Sequence, residues 1–413
     1  MIRGIKVMLL PNKKQETKLF ETAGAARYAY NWTLGKQMEY FEAKHKYIPE
    51  GEIRRLFTEH KQEKRWLYGV SNNATKQAIK DCCKAFDRFM EEKKKAGYVA
   101  YSQNQTAKAA RDGKELTRYE MQWHPKFKKK YKAKPGFYMD TDKIEFTGTH
   151  VRLEKIAESK RPNRAKVNWV KLAEKERVPI EVKYINPRVS YDGIHWWLSV
   201  GVESSAIETE TTGKALGVDV GVKDLAVLSD KEKTRYPNIN KTETVKKQKK
   251  KKRRLQRKIS RKYEKNKKGA SYRKTGNIIK SEKQLLKIEQ RLIGIRHNHL
   301  HHASIGIIRQ KPSRVVLEDL NIKGMMKNRH LSKAIQEQCL YELSRQIEYK
   351  CNWNSIGMLK ADRFYPSSKK CVVCGEIKKD LKLKDRIYRC DHCGNEIDRD
   401  YQAALNLARY GVV

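Results

Sequence analysis

The sequence predicts a multidomain α+β protein, and three observations predict it. At 413 residues the chain is long enough for two to four domains. Long stretches of helical apolar spacing alternate with separate blocks of strand-like alternation. Two CxxC pairs near the C-terminus mark a small module stapled by a metal.

Composition narrows the partner before any motif is read. Lys and Arg number 92 against 48 Asp and Glu, a formal net charge of +44. Self-repulsion makes such an excess costly unless a polyanion supplies the countercharge, so a nucleic acid is the expected partner. No apolar run approaches about 18 residues, and the start MIRGIKVMLLP is too short and too charged for a secretory signal, so a membrane is not expected. Eight cysteines in a chain without a leader imply a reducing compartment rather than disulfides. The adjacent pair Cys82 and Cys83 falls in a helical pattern and reads as core filler.

Residues 1–10 read as a strand ended by Pro11, with Ile2, Gly4 and Val7 in alternation. Leu19, Phe20, Ala23, Ala26, Tyr30 and Leu34 recur at spacings of three and four, which predicts a helix over 12–45. Ser71 is a plausible N-cap for a second helix whose apolar face is Ala78, Ile79, Cys82, Ala85, Phe86 and Phe89. Residues 96–138 lose periodicity and end in a basic, aromatic-studded loop. Residues 139–203 turn to strands, with a hairpin turn at Asp192-Gly193. Two short apolar runs then flank Gly221, and 243–268 is overwhelmingly basic. That run is either a solvated tail or a helix laid against phosphates; the periodic helix over about 280–310 that follows it favours the second. A strand, SRVVLEDLN, and a helix to about 352 complete this part.

In so basic a chain the strand-borne acids are informative. Asp219 lies in LGVDVGV, where alternation puts Gly217 and Asp219 on one face and Leu216, Val218 and Val220 on the other. Glu318 repeats the arrangement, sharing a face with Val316. A carboxylate among valines is costly unless paired or bound to a cation. Asp398 and Asp400 open a helix pattern in DRDYQAALNLARYG, and either can supply a third acid. Converging carboxylates suit hard divalent ions, and two Mg²⁺ there would serve phosphodiester hydrolysis. The order of acids, strand then later strand then C-terminal helix, suggests a ribonuclease H-like fold.

Cys371, Cys374, Cys390 and Cys393 form CxxC-x15-CxxC, the spacing of a zinc ribbon, with Gly375 and Gly394 permitting the turn after each pair. Four thiolates close the coordination of one structural Zn²⁺, although His392 is a competing ligand type. Lys369, Lys370, Lys378, Lys379, Lys382 and Lys384 make the module basic and favour a nucleic-acid contact. The histidines 297, 299, 301 and 302 lie mid-helix without a supporting carboxylate pattern, which favours surface or phosphate-facing positions over a metal site.

The phrases KALGVDVGVKDLAVLSD, VVLEDLNIKGMMKN, ADRFYPSSKKCVVCG and CGNEIDRDYQAALNLARYG resemble the TnpB family of transposon-encoded RNA-guided DNA endonucleases, and more loosely the miniature type V CRISPR effectors. Weaker likeness covers the start through ARYAYNW and WLYGVSNNATKQAIKDCCKAFDRF. The resemblance implies a RuvC nuclease domain with Asp219, Glu318 and Asp400 as catalytic, Mg²⁺-holding residues, favouring Asp400 over Asp398. It implies a β-rich, barrel-like domain over 1–12 and 139–210 and a helical recognition domain over 13–138. The nuclease domain then spans 211–364 and 394–413, with a zinc-ribbon insertion at 365–393 that contacts target nucleic acid. A noncoding guide RNA, a double-stranded DNA target and a short target-adjacent motif follow from it, as does the prokaryotic cytoplasm. The protein would act as a monomer or as a homodimer on one RNA; the length of 96–138 leaves room for a CRISPR-associated type V-F version. Tyr28, Tyr30, Trp32, Tyr40 and Tyr47 are either base-stacking or core residues. A nuclease-inactive RNA-guided regulator is the rival from another class, but it would be expected to lack one of the acids. A strand-transferring transposase is a further alternative. A zinc-ribbon RNA-binding protein would leave Asp219 and Glu318 unexplained.

Overall fold

The structure, a computed structural model, describes residues 1–44, 46–93, 107, 110–111, 113, 125–130, 133–156, 168–231, 235–269, 271–382 and 385–411. Two compact units divide the chain, Met1–Ser204 and Ser205–Val413. Most of the predicted loop over 96–138 lies outside the described residues.

The first unit opens with strand β1 (Ile2–Leu10) and helix α1 (Lys13–Lys44). Asn12 begins the helix: its side chain accepts the Gln15 N–H at 2.9 Å, and the Gln15 side chain accepts the Asn12 N–H at 3.1 Å. This reciprocal cap satisfies two otherwise orphaned donors. Helices α2 (Glu50–Glu63) and α3 (Asn72–Lys93) follow, joined by a 3₁₀ turn over Arg65–Gly69. The helix α2 was not marked in the sequence because its apolar face is thin: only Ile53, Phe57 and the stem of Lys61 are buried. Strands β2 (Gly136–Tyr138), β3 (Glu145–Phe146), β4 (His150–Arg152), β5 (Trp169–Leu172), β6 (Tyr184–Tyr191) and β7 (Trp196–Glu203) join β1 in one antiparallel sheet of order β2-β6-β7-β1-β5-β4-β3. The β6–β7 hairpin turns where expected. Asp192 accepts the N–H groups of Ile194 and His195, and Gly193 takes a φ of +99°. Val7 and Leu9 of β1, Leu198 and Val200 of β7, and Leu19, Ala23, Ala26, Tyr30 and Leu34 of α1 share one core. Tyr28, Trp32, Tyr40 and Tyr47 are partly buried against that core, and Phe20 packs edge-on against Trp196.

The second unit is built on a five-stranded mixed sheet. Strands β8 (Ala215–Val220), β9 (Asp224–Leu228) and β10 (Arg235–Pro237) form an antiparallel meander. The basic run then folds as helix α4 (Glu243–Lys265), the helical alternative of the two readings of the sequence. Val245 and Leu255 pack on Ile288, Leu292 and Ile295 of helix α5 (Gly276–Ile308), leaving most Lys and Arg side chains outward. A minimal hairpin of β11 (Lys267–Lys268) and β12 (Ser271–Tyr272) separates the two helices. Strand β13 (Arg314–Glu318) returns parallel to β8. Helices α6 (Ile322–Met325), α7 (Arg329–Gln338) and α8 (Leu340–Trp353) lead to β14 (Gly357–Ala361), parallel to β13. The sheet order is therefore β10-β9-β8-β13-β14. After the hairpin β15 (Ile387–Arg389)–β16 (Glu396–Asp398) the chain ends in helix α9 (Arg399–Arg409).

Alternation divides the layers of this sheet. Val315 and Leu317 face a core with Leu300, Ala303 and Ile307 of α5 and Leu343 and Ile347 of α8. Val316 faces the other way, onto Leu407 of α9. Asp219 and Glu318 thus belong to the α9 side. No helix among the described residues is long and apolar enough to cross a membrane.

Candidate active site and metal centre

Gly217 positions the site. A Cβ at that residue would stand 1.9 Å from the Ala404 carbonyl oxygen and 2.5 Å from the Ala408 nitrogen, so only glycine lets α9 lie directly across β8. That contact brings the first turn of α9, with Asp400, beside the outer end of β8, with Asp219. Glu318 ends β13, the parallel neighbour of β8.

The charges of Asp400 and Glu318 reach Asp219. The Asp219 carboxylate makes no side-chain hydrogen bond among the described residues. Burial, and then the charges of Asp400 and Glu318, raise its pKa to about 7. Burial and the neighbouring Asp319 also raise Glu318. Such a cluster repels itself until a cation enters. Its oxygens are more loosely grouped than the cysteines: among the described residues only the four thiols have every ligand atom within 4.8 Å of the others.

Asp398 has a different role from Asp400. Its side chain caps α9, accepting the N–H groups of Asp400 at 3.1 Å and Tyr401 at 3.0 Å. Arg235 of β10 bonds it at 2.6 Å and bonds Asp224 at 2.8 Å with its other nitrogen. Burial works to raise Asp398, but the Tyr401 N–H and the guanidinium outweigh it and hold the carboxyl below its usual range. The sequence left Asp398 and Asp400 open; the structure occupies Asp398 as a cap.

The four cysteines Cys371, Cys374, Cys390 and Cys393 are grouped with a geometry that suits zinc. The Sγ atoms of Cys371 and Cys393 are 3.6 Å apart, and those of Cys374 and Cys390 are 3.5 Å apart. Four sulfurs about 2.3 Å from one tetrahedral ion would show such spacings. Gly375 and Gly394 close the two knuckles with positive φ, each donating its N–H to the carbonyl of the first cysteine of its pair at 3.0 Å. Backbone N–H groups of Cys393 and His392 pull the Cys390 thiol down to about 6. The fully buried Tyr388 fills the module's small core.

This module is tied to the helix that bears Asp400. Asn406 donates to the carbonyls of Ser367 at 2.7 Å and Lys370 at 2.6 Å, and Arg399 donates to those of Lys382 and Asp385. Strand β16 runs directly into the cap of α9. Gly217 was placed on the right face in the sequence, but nothing there showed its backbone contact. Arg235, Asn406 and Arg399 gave no signal, because their partners are remote in sequence. The histidines separate: His299 bonds the Pro237 carbonyl at 2.8 Å and His301 lies against Lys350.

Three family models match. "Probable transposase" of the OrfB IS605 type covers residues 197–329, its companion "Helix-turn-helix domain" covers 1–46, and "Cas12f1-like, TNB domain" covers 341–407. Over these residues the chain is similar to the IS605 OrfB (TnpB) family. Within the matched residues 1–46 the chain forms one strand and a single 32-residue helix. A relative from Streptomyces pristinaespiralis, described as "Putative RNA-guided DNA endonuclease", is 27% identical over 99% of this chain and 89% of its own length. InsQ of Escherichia coli K12, with the same description, is 26% identical over 99% of this chain and 92% of its own. A Cas12f1 endodeoxyribonuclease of Sulfoacidibacillus thermotolerans is 35% identical over 77 residues, 19% of this chain and 18% of its own. Among solved structures, a Cas12f1–sgRNA–target DNA complex aligns over all of both chains at 14% identity with a TM-score of 0.36.

Proposed function

We propose that this protein is an RNA-guided DNA endonuclease that hydrolyses phosphodiester bonds at Asp219, Glu318 and Asp400. The observation that carries the proposal is the placement of these acids: three carboxylates come from two parallel neighbouring strands and a crossing helix, and the central one has no side-chain partner, its pKa raised to about 7 by burial and then by the other two charges. An oxygen-only, mutually repelling donor set fits Mg²⁺, and the acids would hold two such ions. Bound Mg²⁺ supplies a nucleophilic water and stabilises the leaving 3′-oxygen. The residues of the chain fix the donors: Gly217 seats α9, and Asp398 with Arg235 holds its first turn in register. The mixed sheet, a three-stranded meander followed by two parallel strands, supports the ribonuclease H-like (RuvC) reading of this unit.

The remaining parts fit the same reading. The excess of +44 charges and the exposed basic face of α4 suit a large polyanion, here a guide RNA paired with its DNA target. The full-length relatives are named for this activity. We divide the chain into a barrel-like β-rich domain (1–12, 139–210), a helical recognition domain (13–138), a RuvC domain (211–364, 394–413) and a zinc-ribbon insertion (365–393). Purified protein with its copurifying RNA, sequenced, should cut a DNA matched to that RNA in Mg²⁺ and not in EDTA. Copurification of no discrete structured RNA, or cutting indifferent to the RNA's sequence, contradicts the guided reading.

A further inference from the structure

The turn between β8 and β9 is pinned at three consecutive carbonyls. Gln338, which ends α7 and is 3% exposed, donates to the Gly221 and Val222 oxygens at 3.3 Å each. Asn238 donates to the Val222 oxygen at 2.8 Å, and the Lys241 ammonium donates to the Lys223 oxygen at 3.2 Å. Gln338 is fixed in its turn: its side-chain oxygen accepts from Asn240 at 3.4 Å, and Asn240 accepts from Arg296 at 2.9 Å. Reversing two antiparallel strands needs no such set of side chains. What the set immobilises is the backbone of Lys223, the one exposed residue among these three.

Lys223 stands close to the acids. Chain reach limits its Cα to about 14 Å from that of Asp219. Its charge also acts on Asp398, behind burial, the Tyr401 N–H and Arg235, and Asp398 is two residues from Asp400. Arg235 and Arg399, whose charges reach the same acids, are committed elsewhere as well. Arg235 bridges Asp224 and Asp398, and Arg399 donates to the Lys382 and Asp385 carbonyls. The Lys223 ammonium makes no ion pair or hydrogen bond among the described residues. Two Mg²⁺ would more than neutralise the three acids, and a free cation beside such a centre then calls for an anion. A phosphodiester entering the site supplies it.

We propose that Lys223 binds a phosphate of the DNA strand being cut, beside the scissile one, its ammonium donating to a non-bridging oxygen from a turn held rigid by Gln338, Asn238 and Lys241. A phosphate contact carries no base information, so it holds every target strand in register at the acids alike. The inference rests on the nuclease reading of the acids.

The test uses RNA-loaded full-length protein in Ca²⁺ and double-stranded DNA matched to the copurified RNA, with lysine acetylation by an N-hydroxysuccinimide ester mapped by mass spectrometry. Lys223 should acetylate readily before DNA is added and become protected several-fold once DNA binds. Its reactivity should return when one phosphate flanking the cut is replaced by a neutral methylphosphonate. In Mg²⁺, single-turnover cutting should slow about tenfold or more in Lys223→Gln, the scale of one charged hydrogen bond, and largely recover in Lys223→Arg. Melting temperature and target binding should stay parental in both. The same methylphosphonate should slow the parent by that factor and leave Lys223→Gln unaffected, a coupling that a merely structural lysine would not produce. Full protection by the guide RNA alone, no protection by DNA, unchanged cutting by Lys223→Gln, or equal methylphosphonate effects in parent and variant each overturn it. Because protection needs no cleavage, a chain whose Lys223 is protected by DNA but which never cuts overturns the nuclease reading and leaves the phosphate contact standing.

Discussion

Gly217→Ala tests the packing that places the third acid. The added methyl would sit 1.9 Å from the Ala404 oxygen, where ordinary contact begins at 3.4 Å, so α9 must retreat by about 1.5 Å. Both contacting atoms are helix backbone, which cannot swing aside as a side chain does. Overpacking of this kind costs about 1–3 kcal/mol or more. The lower chain entropy of alanine in the unfolded state offsets less than about 1 kcal/mol of it. A net loss of about 2 kcal/mol in a unit of this size lowers its melting temperature by roughly 4–8 °C. Catalysis should suffer more than stability, since displacing a reacting group by about 1 Å costs on the order of a hundredfold. The assays are thermal unfolding and single-turnover cleavage at a temperature where the variant is folded. Gly221→Ala is the control, because its nearest atom is 3.4 Å away. If Gly217→Ala melts and cuts like Gly221→Ala, the argument that this contact seats Asp400 is wrong.

Three other outcomes follow from the same geometry. Cys371→Ser or Cys390→Ser should abolish binding of one zinc per chain by elemental analysis and loosen 365–395. It should also slow cutting through the Asn406 and Arg399 ties to α9, whereas zinc-free protein cutting at the normal rate would sever that link. Asp398→Ala should destabilise the second unit by about 1–2 kcal/mol at neutral pH, the scale of a lost N-cap. Because the folded pKa of Asp398 lies below the unfolded one, the carboxylate's share is present above the unfolded pKa and fades as pH falls through the folded value; a stability gap between Asp398→Asn and the parent that widens on acidification would contradict it. Replacing Lys251, Arg253, Arg254 and Lys258 with Gln should weaken nucleic-acid binding and flatten its salt slope by up to about 3, at about 0.7–0.9 per phosphate contact, while Lys252 is spared because it pairs with Glu289 at 2.8 Å; superimposable slopes would mean α4 does not touch the ligand.

Much of this molecule was legible because its signals are local. Apolar spacing of three and four marked α1, α3 and α5, and strict alternation put Asp219 with Gly217 and Glu318 with Val316 on the faces they occupy. Two CxxC pairs announced the four-cysteine cluster. What escaped depends on contacts between residues far apart in sequence. Asp398 and Asp400 differ only through Arg235, 163 residues away, and through the direction of one cap. The helix α2 is too polar to show a face. Of the aromatics the sequence left open between base stacking and core packing, Tyr30 is buried and Tyr28, Trp32, Tyr40 and Tyr47 are partly buried against the core, while Trp66, Tyr68 and Phe364 stand exposed on short turns where no periodicity marks them.

The most direct test of the central claim is a cleavage panel on RNA-loaded protein in Mg²⁺. Asp219→Ala, Glu318→Ala and Asp400→Ala should each lose cutting by at least about a thousandfold, since the members of such a site act as a unit. All three should bind guide and target as the parent does, and Asp398→Asn, which keeps an N-cap acceptor, should still cut. Near-parental cutting by any of the three alanine variants would contradict the assignment of the site.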